Sequence, residues 1–253
     1  MFSYFRQGIL PGITLSALLA AGMAQAQTRP PIGGIGQLPD AMIFYVAHGG
    51  PDACGPGCSD WIAAEGTVQF DTFKRLIAIL DRQADHKLPV VINSRGQSNL
   101  NVAVSLGRIL RDRGVDAMVG ITEVAACSGK SEADCFALKR PGGPLDAREN
   151  ISGIMCDLAC ALMLAGGVHR TLPPDSHLVV SGSTIRHRIA PNVSEERRQG
   201  LTALYTKQFR VYLHEMGVAE DLIDLMEQSA ATVQNIDVPP SEWTRLHLVT
   251  APL

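Results

Sequence analysis

The spacing of apolar positions changes along the chain, and the spacing marks the elements. Ala41-Met-Ile-Phe-Tyr-Val-Ala47 is a short apolar run rich in β-branched and aromatic residues, which predicts a strand. Trp61 to Val68 predicts a second extended segment. Phe73, Leu76, Ile77 and Leu80 fall at i, i+3, i+4 and i+7, the spacing of a helix face, with Asp71 placed to cap it. Pro89-Val-Val-Ile-Asn93 predicts a buried strand by its length and residue types. A helix follows through Arg113, capped by Ser98 or Asn99, with Leu100, Ala103, Val104, Gly107 and Leu110 on one face. Gly114 stands where a helix C-terminal glycine belongs. Asp116 to Val124 predicts another strand, and the polar, Gly/Pro-rich stretch from Ser128 to Asn150 predicts a long loop. Leu158 to Gly166 is small and apolar, a buried helix with Asp157 as N-cap. His177 to Ser181 predicts a strand. Ser194 starts a long helix that ends at Gly217, with Leu201, Leu204, Tyr205 and Tyr212 inward. A last helix runs from about Glu220 to Gln228. Strands alternate with helices and no repeat appears, so residues 41–253 are expected to form one α/β domain.

The first residues follow a different logic. Arg6 is the one charge before the apolar, small-residue run from Ile9, which ends in Ala24-Gln25-Ala26. That pattern predicts a Sec-type signal peptide over residues 1–26, cleaved after Ala26. Residues 27–40, rich in Pro and Gly, predict a flexible linker. The expected location is therefore the periplasm or the exterior. No stretch after residue 30 has the roughly 18 apolar residues that a membrane helix needs.

Export changes the reading of the cysteines. Cys54, Cys58, Cys127, Cys135, Cys156 and Cys160 form three local pairs, and in an oxidising compartment they predict disulfides. Closure within each pair is the simplest arrangement; cross-pairing of Cys156 or Cys160 with Cys127 or Cys135 stays open. Spacings of x3, x7 and x3 do not match zinc knuckles, so no metal is expected. The formal charge of −3, without a Lys/Arg run, and 5% aromatic residues argue against a nucleic-acid-binding surface.

The strand ending at Ser94 feeds Arg95-Gly96-Gln97-Ser98-Asn99 and then a helix. This is neither a Gly-x4-Gly-Lys-Ser/Thr loop nor Gly-x-Gly-x-x-Gly, so no nucleotide cofactor is expected. A glycine turn before a helix still exposes N–H donors, which makes Arg95, Gly96 and Gln97 candidates for holding an anion or oxyanion.

Val91-Ile-Asn-Ser-Arg-Gly-Gln-Ser-Asn-Leu100 resembles the strand-loop-helix of the ClpP/crotonase superfamily. Cys156-Asp-Leu-Ala-Cys-Ala-Leu-Met-Leu-Ala-Gly-Gly-Val-His-Arg170 resembles the C-A-S-A-C-x4-A-G-G-x-x-R motif of predicted periplasmic ClpP-like proteins. Cys54 to Gly66 and Tyr212 to Val218 are similar to the same group, so the resemblance spans roughly residues 40–250. It implies stacked β-β-α units around a twisted sheet, with C-terminal helices that often mediate oligomers.

In peptidases of that superfamily a Ser at the helix N-terminus attacks the acyl carbon, a His takes its proton and an Asp orients the His. The resemblance puts Leu158 at the nucleophile position, Ser181 at the histidine position and Gly96-Gln97 at the Gly-Gly doublet. Asp221 and Asp224 lie in about the right region for the third member. Three concerted departures imply a scaffold without acyl-transfer chemistry, a pseudoenzyme that binds a peptide or protein in the former cleft or assembles with itself. The alternative is a serine hydrolase with a relocated nucleophile, Ser181 or Ser183, and a histidine drawn from His187, His169 or His177.

Overall fold

The structure, a computed structural model, is described for residues 40–182 and 193–250. The expected signal peptide, the linker before Asp40, Ser183 and His187 lie outside those residues. Asp40 belongs to the fold rather than to a linker. Its carboxylate accepts from Thr67 Oγ1 at 2.6 Å and its carbonyl from Thr67 N at 2.7 Å.

Ten strands are described: β1 (Ile43–His48), β2 (Asp60–Gly66), β3 (Val90–Ser94), β4 (Ala117–Val119), β5 (Ile121–Val124), β6 (Leu145–Asn150), β7 (Met155–Asp157), β8 (Arg170–Thr171), β9 (His177–Val180) and β10 (Ile236–Val238). The helices are α1 (Thr72–Arg82), α2 (Leu100–Arg113), α3 (Glu132–Lys139), α4 (Leu158–Ala165), α5 (Glu195–Met216), α6 (Asp221–Thr232) and α7 (Pro240–Arg245). Seven strands form one sheet in the order β5-β6-β1-β2-β3-β4-β8, and three form a second in the order β10-β9-β7. β2, β3, β4 and β8 run parallel, as do β1 and β6, while β1–β2 and β5–β6 are antiparallel.

Gly120 decides the shape of the larger sheet. The segment expected as one strand from Asp116 to Val124 breaks there into β4 and β5. In sheet order β5 and β4 are five positions apart, roughly 24 Å if the sheet were flat. A single linking residue cannot span that, so the sheet curls until the end of β4 meets β5. A Cβ on Gly120 would collide with Glu149 Oε1, which explains the glycine at the corner.

Alternate residues of the central strands serve two apolar layers. Phe44, Ile62, Ala64, Val90 and Ile92 face the helices. Ile43, Tyr45, Trp61, Ala63 and Val91 face the other layer. There Trp61 Nε1 donates to Thr122 Oγ1 at 2.9 Å, which satisfies both buried groups. α4 is buried along its whole length. It packs against α2 where Gly107 meets Gly166, with no room for a Cβ on either. Tyr212 Oη, above Gly107, donates to Leu162 O at 2.6 Å.

Two arginines close the helix ends. Arg111 donates to the carbonyls of Ala165, Gly166, Gly167 and Met216, and Arg170 to those of Gly167, Met216, His247 and Leu248. These carbonyls include the C-terminal turns of α4 and α5, whose partial negative charge favours the cations. Burial first, and Arg111 second, hold the Arg170 guanidinium down to about 10, so it stays charged at neutral pH.

Several expected elements shift. Asp71 precedes α1 but makes no cap bond; its carboxylate takes Arg75 at 2.7 Å instead. Asn99, not Ser98, caps α2, accepting from Asn101 N and Val102 N. The expected loop from Ser128 to Asn150 contains α3 and β6, both short and largely polar on the exposed side. On α5 the inward stripe is Thr206, Phe209, Tyr212, Leu213 and Met216, and Leu204, expected inward, is 51% exposed. All three disulfides close within the local pairs: Cys54–Cys58, Cys127–Cys135 and Cys156–Cys160. Such bonds fit an oxidising, extracellular or periplasmic compartment. No described helix is long and apolar enough to cross a membrane.

Candidate functional site

The loop after β3 is sewn to the end of β2. Arg95 N donates to Gly66 O at 3.0 Å and Asn99 N to Val68 O at 2.8 Å, while Ser98 Oγ accepts from Val68 N at 3.0 Å. Gly96 takes φ +67°, a conformation that suits glycine, and a Cβ there would sit 2.8 Å from Thr67 Oγ1. These bonds use most of the loop's donors. The N–H groups of Gly96 and Gln97 carry no hydrogen bond among the described residues, and both residues are exposed.

Those donors line a cleft of about 530 Å³. Leu158, Ser181, Arg95, Gly96 and Gln97 all border it, so the tertiary structure gathers the sequence-predicted positions into one place. Leu158 opens α4 and is 4% exposed, with no polar side-chain atom to offer. Asp157 caps the same helix, its carboxylate accepting from Cys160 N at 2.8 Å. That bond satisfies one of the donors at the start of α4. Among the described residues no histidine lines this cleft.

His177 and His169, the described histidines considered as partners for a serine, are paired elsewhere. His177 Nδ1 lies 3.3 Å from Asp237 Oδ2, four residues and roughly 13 Å along the chain from Ser181, beyond hydrogen-bond reach. His169 pairs with Asp116 at 2.9 Å. Asp221 and Asp224 are bound to Arg245 and Arg210, at 2.7 and 2.6 Å, on α6. Ser183 and His187 lie outside the described residues.

The opposite wall is the edge of the smaller sheet. Among the described residues β7 pairs with β9 alone, in parallel, and His177 N donates to Ile154 O at 2.8 Å. In a parallel ladder alternate residues of an edge strand bond inward, so Met155 directs its N–H and C=O out of the sheet. Its side chain, 64% exposed, also borders the cleft.

A second cavity of about 940 Å³ adjoins the first, sharing Asn93, Arg95 and Ile121. Its floor holds an ionic group that the sequence reading missed. Glu65 accepts from Lys139 Nζ at 2.6 Å, Arg95 Nη2 at 2.8 Å and Tyr45 Oη at 3.1 Å. Burial, then Glu65, push the Tyr45 hydroxyl well above its ordinary range. A carboxylate within the apolar segment Trp61–Val68 was the available signal; its partner Lys139 lay in the stretch read as loop. Arg95, expected to face an anion, is also 3.4 Å from Glu132 Oε1. Nearby, Glu123 is held below its usual range by bonds from Asn150 and Arg148. At the far wall His48 is raised by its hydrogen bond to Asp60, at 2.6 Å.

Among the described residues no cluster of His, Cys, Asp or Glu is arranged to hold a metal ion. Comparison with known protein families, with curated proteins and with solved structures yields no match.

Proposed function

We propose that the protein is an exported, ClpP-like scaffold without acyl-transfer chemistry that binds an extended peptide segment in the cleft between loop 94–99 and β7. The observation that carries this reading is the entrance to α4: buried Leu158 stands where the resemblance puts a nucleophile. Nucleophilic acyl transfer needs an activated nucleophile, and a leucine side chain offers none. Peptide binding needs less. An edge strand that presents Met155 backbone groups, facing the N–H donors of Gly96 and Gln97, suits a ligand that adds main-chain hydrogen bonds. Apolar Ile154, Leu158 and Val179 provide contact for alternate side chains.

The test is fluorophosphonate labelling of the oxidised protein from Gln27 onward, with mass-spectrometric mapping, turnover of a peptide and ester panel, and binding of a fluorescein-labelled apolar peptide. Saturable binding with neither label nor turnover is the expected result. A label on Ser181 or Ser183, with turnover lost on its change to Ala, would replace this reading with that of a serine hydrolase.

A further inference from the structure

We infer that the peptide ligand carries a carboxylate, received by Arg95 together with the N–H groups of Gly96 and Gln97, and that Glu132 is its intramolecular competitor. The inference rests on the reading of the cleft as a peptide seat and names the chemistry that the seat selects.

Arg95 stands where the two cavities join and borders both. Its two partners are unequal. Glu65, with a side chain 12% exposed, is held at 2.8 Å. Glu132 is 3.4 Å away on a side chain 84% exposed. A long contact to a solvated carboxylate contributes little and exchanges readily. The charge balance points the same way. Glu65 is shared between two cations, because Lys139, 7% exposed, also bonds to it at 2.6 Å. One carboxylate cannot neutralise both, and among the described residues the second positive charge is met by Glu132 at the rim. A ligand carboxylate replacing Glu132 would find a planar guanidinium fork already oriented by Glu65. Next to it in the chain are the two uncommitted N–H donors. Such a carboxylate is either the C-terminus of the peptide or an Asp or Glu side chain whose chain continues into the larger cavity.

The experiment compares three fluorescein-labelled Ala/Leu octapeptides by anisotropy: the free C-terminal acid, its amide, and an amide carrying one glutamate. At least one of the acidic peptides should bind about fivefold or more tightly than the neutral amide. Which one does so identifies the terminus or the side chain as the source. The preference should shrink as salt rises, disappear in Arg95→Gln and widen in Glu132→Gln. Glu132 is exposed at the start of α3, so Glu132→Gln leaves the buried pairs intact and keeps the test valid if Arg95→Gln fails to fold. Equal binding of all three peptides, unchanged by Glu132→Gln, would overturn the carboxylate inference and leave the peptide seat standing. No binding by any of them would overturn the peptide seat itself.

Discussion

Glu149 shows how one carboxyl group can govern the pH response of a fold. Its Oε1 is buried, accepts no hydrogen bond among the described residues, and fills the space over Gly120. Burial alone pushes it up from 4.5 to about 7. A folded-state value above the unfolded one means that folding favours the protonated acid. The stability this adds is fully present below about 4.5 and is lost as pH rises through about 7. Glu149→Gln keeps the shape without the ionisation. Thermal melts should therefore show the variant gaining on the parent between pH 5 and pH 8, by a few degrees. A difference between the two that does not change with pH would refute this.

At the level of elements, the contact between α2 and α4 concentrates the packing. Gly107 and Gly166 bring the two helices together closely enough for Tyr212 of α5 to reach Leu162 O. Gly107→Ala would drive a methyl group into Tyr212 Oη and should cost about 2–3 kcal/mol by overpacking. Tyr212→Phe removes the colliding oxygen. The double variant should be more stable than the sum of the single losses, measured by denaturant unfolding of all four proteins. Strict additivity would show that the clash is relieved elsewhere. The elements hardest to read beforehand were α3 and β6. β6 alternates charged and partly buried positions, and α3 is short with a weak apolar face, so both resembled loop. Their identity comes from partners distant in sequence: β1 and β5 for β6, and Glu65 for Lys139 at the end of α3.

For the whole molecule, the disulfides act as local clamps. Cys127–Cys135 ties the middle of α3 to the short turn after β5, and α3 carries Lys139 to the cavity floor and Glu132 to its rim. Replacing both cysteines by Ser should lower stability by about 2–3 kcal/mol, the closure entropy of so short a loop. The same change should weaken discrimination between acidic and neutral peptides, because Lys139 would no longer be held on Glu65. Melting curves and the anisotropy titration read the two effects separately. A lower melting point with unchanged discrimination would free the site from this clamp.

The main strands, the helices α1, α2, α4 and α5, the caps at Asn99, Asp157 and Ser194, and the left-handed glycines at 114 and 217 all follow from local signals. Apolar period and terminal hydrogen bonding act within a few residues, so the chain itself specifies them. The cysteines also paired locally, as their spacing made simplest. What the sequence could not specify is which groups share a volume. Glu65 and Arg95 meet because β2 and β3 pair side by side, and α3 brings Lys139 onto the same carboxylate. Met155 stands at a sheet edge among the described residues because β7 pairs there with β9 on one side. Long-range pairing and burial made those choices, and the proposed binding seat depends on them.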